Sequence, residues 1–162
     1  MLETAFTFAF VGLVLVAAAS DIARMTIPNW VSAALIALYP IAALVCGASW
    51  ATIGGHFLVG AIALTVCFGL FSVNALGGGD AKLIPAVALW TGAAAFLPFI
   101  AGMAIAGGAL SLTLLLARRA FAPADGRPDF VNRLLNKKRG APYGVAIAVG
   151  AICAAPHLML AP

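Results

Sequence analysis

Five acidic residues occur in the 162-residue chain: Glu3, Asp21, Asp80, Asp125 and Asp129. Two of them stand at the margins of long apolar runs. Asp80 closes a glycine run and precedes a lysine, in Gly77-Gly78-Gly79-Asp80-Ala81-Lys82, and Asp21 follows the apolar run 4–20. An ionisable group at the edge of hydrocarbon is costly and marks a functional site by default. Glycines lack a Cβ, so a second backbone can come close beside the acid. Two carboxyls facing one another in a low-dielectric site cannot both ionise easily, so one keeps a proton while the other loses it. The ionised group can then take a proton from water while the protonated one polarises a carbonyl, as in an aspartic protease. The pair titrates as a unit, and no separate acid and base are assigned. The same residues also suit two other readings. A small ion-coupled transporter can use them as proton or cation ligands, because broken helices with glycines beside an acid occur in carriers. In a purely structural bundle subunit they are solvated loop residues at a hinge.

Composition narrows the setting. The chain is 64% hydrophobic and 9% charged, with mean hydropathy +1.12. Soluble domains are about half apolar and a quarter charged. An all-α, polytopic membrane protein is expected, forming one transmembrane domain over residues 1–162. The net charge of +4 reads as membrane topology, and no nucleic-acid partner is expected. Cys46, Cys67 and Cys153 form no Cys-x-x-Cys pair, so neither a disulfide framework nor a metal site is expected. They read as small packing residues. His56 and His157 lack partners at metal-ligand spacing and are expected to be solvated at an interface.

Six spans account for the apolar runs. The first covers residues 4–20 and is read as a retained helix rather than a signal peptide, because only Glu3 precedes it where a basic segment is needed. A short link follows in which Pro28 and Asn29 open the second span, with Pro28 in the first turn. The second span covers 30–46, residues 47–55 form a turn, and the third span covers 57–73. Residues 83–117 contain no charge, and one helix of that length would measure about 52 Å, too long for a hydrocarbon core of about 30 Å. A break at Trp90-Thr91-Gly92 is therefore expected, with Pro98 opening the fifth span. Residues 118–140 are basic. Within them 128–138 reads as an interfacial amphipathic helix; the basic residues from Arg118 to Arg139 read first as a topological anchor, and anionic lipid is their expected partner where they do more. The sixth span covers 142–160.

This six-helix transmembrane bundle places loops 21–29, 74–82 and 118–140 on one side. Those loops hold all nine basic residues. The positive-inside rule then puts them in the cytoplasm and both termini outside, with the basic loop joining helices 5 and 6. Asp21 and Asp80 come to the same cytoplasmic level.

Gly77-Gly78-Gly79-Asp80 resembles the Gly-x-Gly-Asp (GxGD) motif of intramembrane aspartyl proteases. Gly-Asp-Ala-Lys, an earlier acid at the end of the first helix followed by Ile27-Pro28-Asn29, and Pro142-Tyr143-Gly144 opening the last helix together resemble the type IV prepilin peptidases. The short length is similar to the form linked to Flp (tight-adherence) pili. The resemblance implies Asp21 and Asp80 as the catalytic pair. Support of the loop and substrate would come from Gly77, Gly78, Gly79, Lys82, Pro28, Asn29, Pro142, Tyr143 and Gly144. It implies no metal and no cofactor. The implied substrate is a single-span prepilin whose leader is cut on the cytoplasmic side of a bacterial inner membrane, usually just after a glycine. Larger relatives also methylate the new N-terminus and carry a cytoplasmic insert with cysteine pairs. That insert is missing here, so peptidase activity alone is expected. Presenilin-like proteases place their first acid in a Tyr-Asp setting, whereas this chain has Ser20-Asp21.

Overall fold

The computed structural model describes residues 1–121, 126, 128–136 and 140–158. Among these it is helical, with no strand. Helix α1 spans Leu2–Arg24, α2 Asn29–Val45, α3 Trp50–Ser72 and α4 Asp80–Ala120; the short α5 covers Asp129–Leu135, α6 Tyr143–Ala154, and a 3₁₀ turn follows at Ala155–His157. Three of them, α1, α3 and α4, are long and apolar enough to cross a membrane, and α2 and α6 are shorter apolar helices. The chain therefore reads as a membrane protein.

Helix α4 is two helices joined at a break. Gly92 has φ 53° and ψ −162°, a non-helical conformation inside an otherwise helical run. A straight helix of 41 residues would hold its ends roughly 60 Å apart. Instead both ends meet the same part of the molecule. Asp80 shares a cavity with Asp21 and Gly140, while Arg118, near the other end, donates to the Gly140 carbonyl. The arm 80–91 runs away from this level and the arm 93–120 returns to it. The expected break is thus present, at the glycine. Pro98 does not open the second arm, as the sequence suggests, but lies inside it.

The first arm is the axis of the fold. Every residue from Leu83 to Gly92 is buried. A helix that is apolar on all faces must be surrounded; α2, α3 and α6 pack against α4, and Phe10 of α1 stacks on Trp90. At its far end Trp90 stacks on Phe10 of α1 with centroids 5.0 Å apart and meets the edge of Tyr39 of α2. Its indole N–H donates to the Leu35 carbonyl at 2.9 Å. An indole N–H in a dry core needs such a partner.

His56 departs from the sequence expectation. Helix α3 begins at Trp50 and not near Phe57. Ser49 caps it, its Oγ accepting from the Thr52 N–H, and His56 is drawn into the helix. The imidazole is buried, stacked on Tyr39, and its Nδ1–H donates to the Leu89 carbonyl at 2.9 Å. That carbonyl lies in the last turn before the break, where helical partners run out. His157, by contrast, is exposed as expected.

The returning arm packs closely on α6. A Cβ built on Gly150 would stand 2.5 Å from the Phe99 carbonyl oxygen, and one on Gly102 would stand 3.1 Å from Gly150 Cα. Small residues allow such close approach of membrane helices. Helix α6 ends at Ala154, earlier than the expected 160, with residues 159–162 outside the description. The basic loop is described only in part, with 122–125, 127 and 137–139 outside it. Helix α5 is seven residues long, shorter than the expected 128–138. Its Leu135 is buried, and Phe130 is exposed.

A Cβ at Gly92 would strike the His56 ring, and its φ is one that L-residues adopt at a cost of about 1–2 kcal/mol. Gly92→Ala is expected to lower the thermal midpoint in detergent by more than about 4 °C. Gly54→Ala, with open space around it, is expected to leave the midpoint unchanged or raised.

Candidate active site

Helix α1 ends where Met25 turns left-handed, with φ 56°. The last turn before that stop carries Asp21, which is 7% exposed. Its Oδ2 accepts from the Gly144 N–H at 2.8 Å. Gly144 lies in the first turn of α6, where backbone N–H groups have no helical acceptor and point at the carboxylate. Asp80 begins the buried arm of α4, directly after Gly79 at the helix cap. Its side chain is half-buried. Among the described residues no hydrogen bond reaches its carboxyl, so it is free to face the space in front of it.

That space is a cavity of about 400 Å³, lined by both Asp21 and Asp80, by Gly77, Gly78 and Gly79, and by Thr26, Asn29, Lys82 and Gly140 among others. Two acids 59 positions apart in the chain thus open on one partly enclosed volume. The cavity has room for water in front of both acids, beside a stretch of glycine backbone. The described residues contain no group of three or more His, Cys, Asp or Glu able to hold a metal.

The glycines have separate steric reasons. A Cβ on Gly77 would come within 2.8 Å of Asp80 Oδ2, and one on Gly144 within 2.9 Å of Asp21 Oδ2. One on Gly79 would meet Ile27 at 3.1 Å, and one on Gly78 would meet Phe71 at 3.3 Å. Gly77 and Gly144 therefore leave room for the carboxyls themselves, while Gly78 and Gly79 seat the loop against its neighbours.

The other expected residues gather at the same end. Lys82 Nζ donates to Asn29 Oδ1 at 3.1 Å, tying the start of α4 to the start of α2. Pro28 sits one position earlier than expected, at the cap of α2, with φ −65° and ψ 134°. Pro142 is the cap residue of α6 and is buried. Tyr143 turns away from the acids and lies over Gly107, where an added Cβ would stand 2.9 Å from its hydroxyl.

Two residues of the basic loop have roles that composition did not suggest. Arg118 donates from Nε to the Leu134 carbonyl at 2.7 Å and from Nη2 to the Gly140 carbonyl at 2.9 Å. Arg133 donates to the Ala23 carbonyl at 3.0 Å. Both clamp backbone near the cavity rim, and guanidinium groups suit this because their several N–H donors satisfy helix-end carbonyls. No spacing in the sequence signals these long-range bonds; only the surplus of arginine over lysine at 118 and 133 hints at them.

Gly77→Ala and Gly144→Ala each push one carboxyl aside without touching the apolar core. A displacement near 1 Å at a catalytic group costs about 10²-fold in rate. Each substitution is therefore expected to slow any chemistry that its carboxyl carries by about that factor, and Gly77→Ala to leave the thermal midpoint within about 2 °C.

A profile of the type IV leader peptidase family matches residues 8–112. The match covers more than half of the chain and includes Asp21, Asp80 and the glycine run, while Pro142-Tyr143-Gly144 lies beyond it. No curated protein and no solved structure matches. An acid at the end of the first helix, a second behind a glycine run and a shared cavity between them thus coincide with a family match across both acids, and the chain belongs to the type IV leader peptidase family.

Proposed function

We propose that the protein is a membrane aspartic endopeptidase that removes the leader of type IV, Flp-type prepilins, with Asp21 and Asp80 as the catalytic pair. The observation that carries this reading is that both carboxyls line one cavity together with Gly77, Gly78 and Gly79. In the reaction, one carboxylate takes a proton from water as its oxygen attacks the scissile carbonyl. The protonated partner gives its proton to the carbonyl oxygen. Collapse of the tetrahedral intermediate breaks the C–N bond, and a proton passes to the leaving amine. The glycine backbone lets an extended substrate strand lie beside Asp80. A helix hides its peptide bonds within its own hydrogen bonds, so the substrate must unwind locally, and a site at the membrane boundary makes both unwinding and water entry easier.

The membrane setting of this reading is a bacterial inner membrane crossed six times, by α1, α2, α3, the two arms of α4, and α6. Arg24, Lys82, Arg118, Arg119 and Arg133 fall at the end of the molecule that holds the acids, which supports a cytoplasmic active site and termini on the other side. The basic loop rests on anionic lipid.

The deciding experiment is co-expression with an Flp-type prepilin, followed by the mass of the prepilin and sequencing of its new N-terminus. Cleavage just after the leader glycine is expected. Asp21→Asn and Asp80→Asn are each expected to lower the rate by 10³-fold or more, on the order seen when one member of a catalytic unit is removed, while the protein still inserts. Full processing by either variant would sink the pair. A well-inserted protein that cleaves no such prepilin would instead favour ion-coupled transport through the same carboxyls, read by proton flux.

Topology has its own check. In a cysteine-free background, Ala120→Cys is expected to react with an impermeant thiol reagent only from the cytoplasmic face, and Ala51→Cys only from the opposite face. Labelling of both from one side contradicts the six-span arrangement.

A further inference from the structure

An apolar groove of about 620 Å³ runs between α3 and the returning arm of α4. Ile62, Val66 and Leu70 form one wall, and Phe96, Ile100 and Met103 form the other. From Val59 to Leu70 the α3 wall extends about 16 Å at 1.5 Å per residue, three turns of a helix. Its floor includes the buried small residues Ala63 and Cys67, and small residues let another helix approach closely in lipid. The place where it ends is the informative feature. Leu76 and Tyr143 bound it, and each immediately precedes a glycine that gives room to a catalytic-site carboxyl, Gly77 and Gly144. Ile84, also in the lining, is one helical turn beyond Asp80. The groove therefore leads along the membrane-facing side up to the cavity of the two acids.

We propose that this groove seats the apolar helix of the substrate, a single-span membrane protein, over the three turns nearest the scissile bond. The inference rests on the peptidase reading and adds where the substrate docks. A helix lying against α3 would leave the groove at Leu76 and Tyr143, and the next residues of the substrate would unwind across Gly77–Gly79 in front of Asp80. The wall spacing of three and four residues along α3 matches the periodicity of a helix face. A second groove, of about 410 Å³ between α2 and α3, is the competing seat. Its lining includes Asn29, Lys82 and Ser32, and the buried Ser32 Oγ has no partner among the described residues. The unpartnered hydroxyl suits a ligand with polar groups, unlike an uninterrupted apolar helix. The first groove carries no charge, as an uninterrupted apolar helix requires, since polar groups left unpaired in lipid are costly.

The test uses the full chain reconstituted with an Flp-type prepilin. Single cysteines are placed at Val66 and Met103, at Ile36 in the second groove, and at Leu58, which lines neither groove. Each is combined with cysteines along the substrate helix and with Asp80→Asn to hold the substrate uncut. Disulfide cross-links to the substrate are expected from Val66→Cys and Met103→Cys, and none from Ile36→Cys or Leu58→Cys. In the active protein Val66→Trp is expected to raise KM for the prepilin at least tenfold with kcat within twofold, and Leu58→Trp to change neither. Cross-links from Ile36→Cys alone overturn the proposal. So does the absence of any cross-link from a protein whose active form cleaves the prepilin. If the active form cleaves no prepilin, the peptidase reading falls and this inference falls with it.

Discussion

The structure depends on the burial of one short helix. Residues 83–92 are apolar on every face and lie inside the bundle, so they cannot form one side of a simple ring of helices. Their enclosure forces the chain to come back after Gly92, because only a reversal allows the following arm to pack beside the first. The break creates a need of its own. Carbonyls near a helix end lose their partners, and His56 supplies one to Leu89. The aromatic cluster of Phe10, Tyr39 and Trp90 then joins α1 and α2 to the same end of the axis. In this way the far end of the molecule is fixed, and the near end, where Asp80 begins the arm, inherits its position.

The near end is built differently. Polar bonds replace aromatic packing: Lys82 to Asn29, Arg133 to Ala23, Arg118 to Leu134 and Gly140. Most of these groups are exposed, where single hydrogen bonds contribute modestly. The far end is thus held by close packing and the near end by lighter polar ties. The two acids differ within that frame. Asp21 is buried and fixed by a backbone N–H, whereas Asp80 faces the cavity from the helix start. The cavity therefore has one anchored carboxyl and one less restrained carboxyl.

Much of the plan was legible in the residues. Hydropathy and the charge-free stretch 83–117 required a membrane protein and a broken fourth helix, and Trp90-Thr91-Gly92 marked the break because glycine alone tolerates the backbone there. The basic residues pointed to one end, and those described do gather there. The glycine run with Asp80, and Asp21 at a helix end, named the candidate site, since acids beside hydrocarbon are costly and hence informative. Local signals were weaker at boundaries. Ser49 is a good cap residue, yet the expectation of a turn over 47–55 starts the span at 57, eight residues later. That error placed His56 in solvent.

Relations between distant segments come from packing alone. Gly144 next to Asp21, His56 beneath Leu89 and Arg118 on Gly140 join residues 123, 33 and 22 positions apart, and no local periodicity carries such pairings. Residue types alone mark which groups are too polar or too apolar to be left where they are: the acids beside apolar runs and the arm 83–92 that had to be enclosed. They do not determine that the acids share one cavity, or that Gly77 and Gly144 are each needed as space for a carboxyl. Those follow from the packing of α1, α4 and α6, because the direction of a side chain and the room around it are set by neighbouring helices and not by the chain on either side.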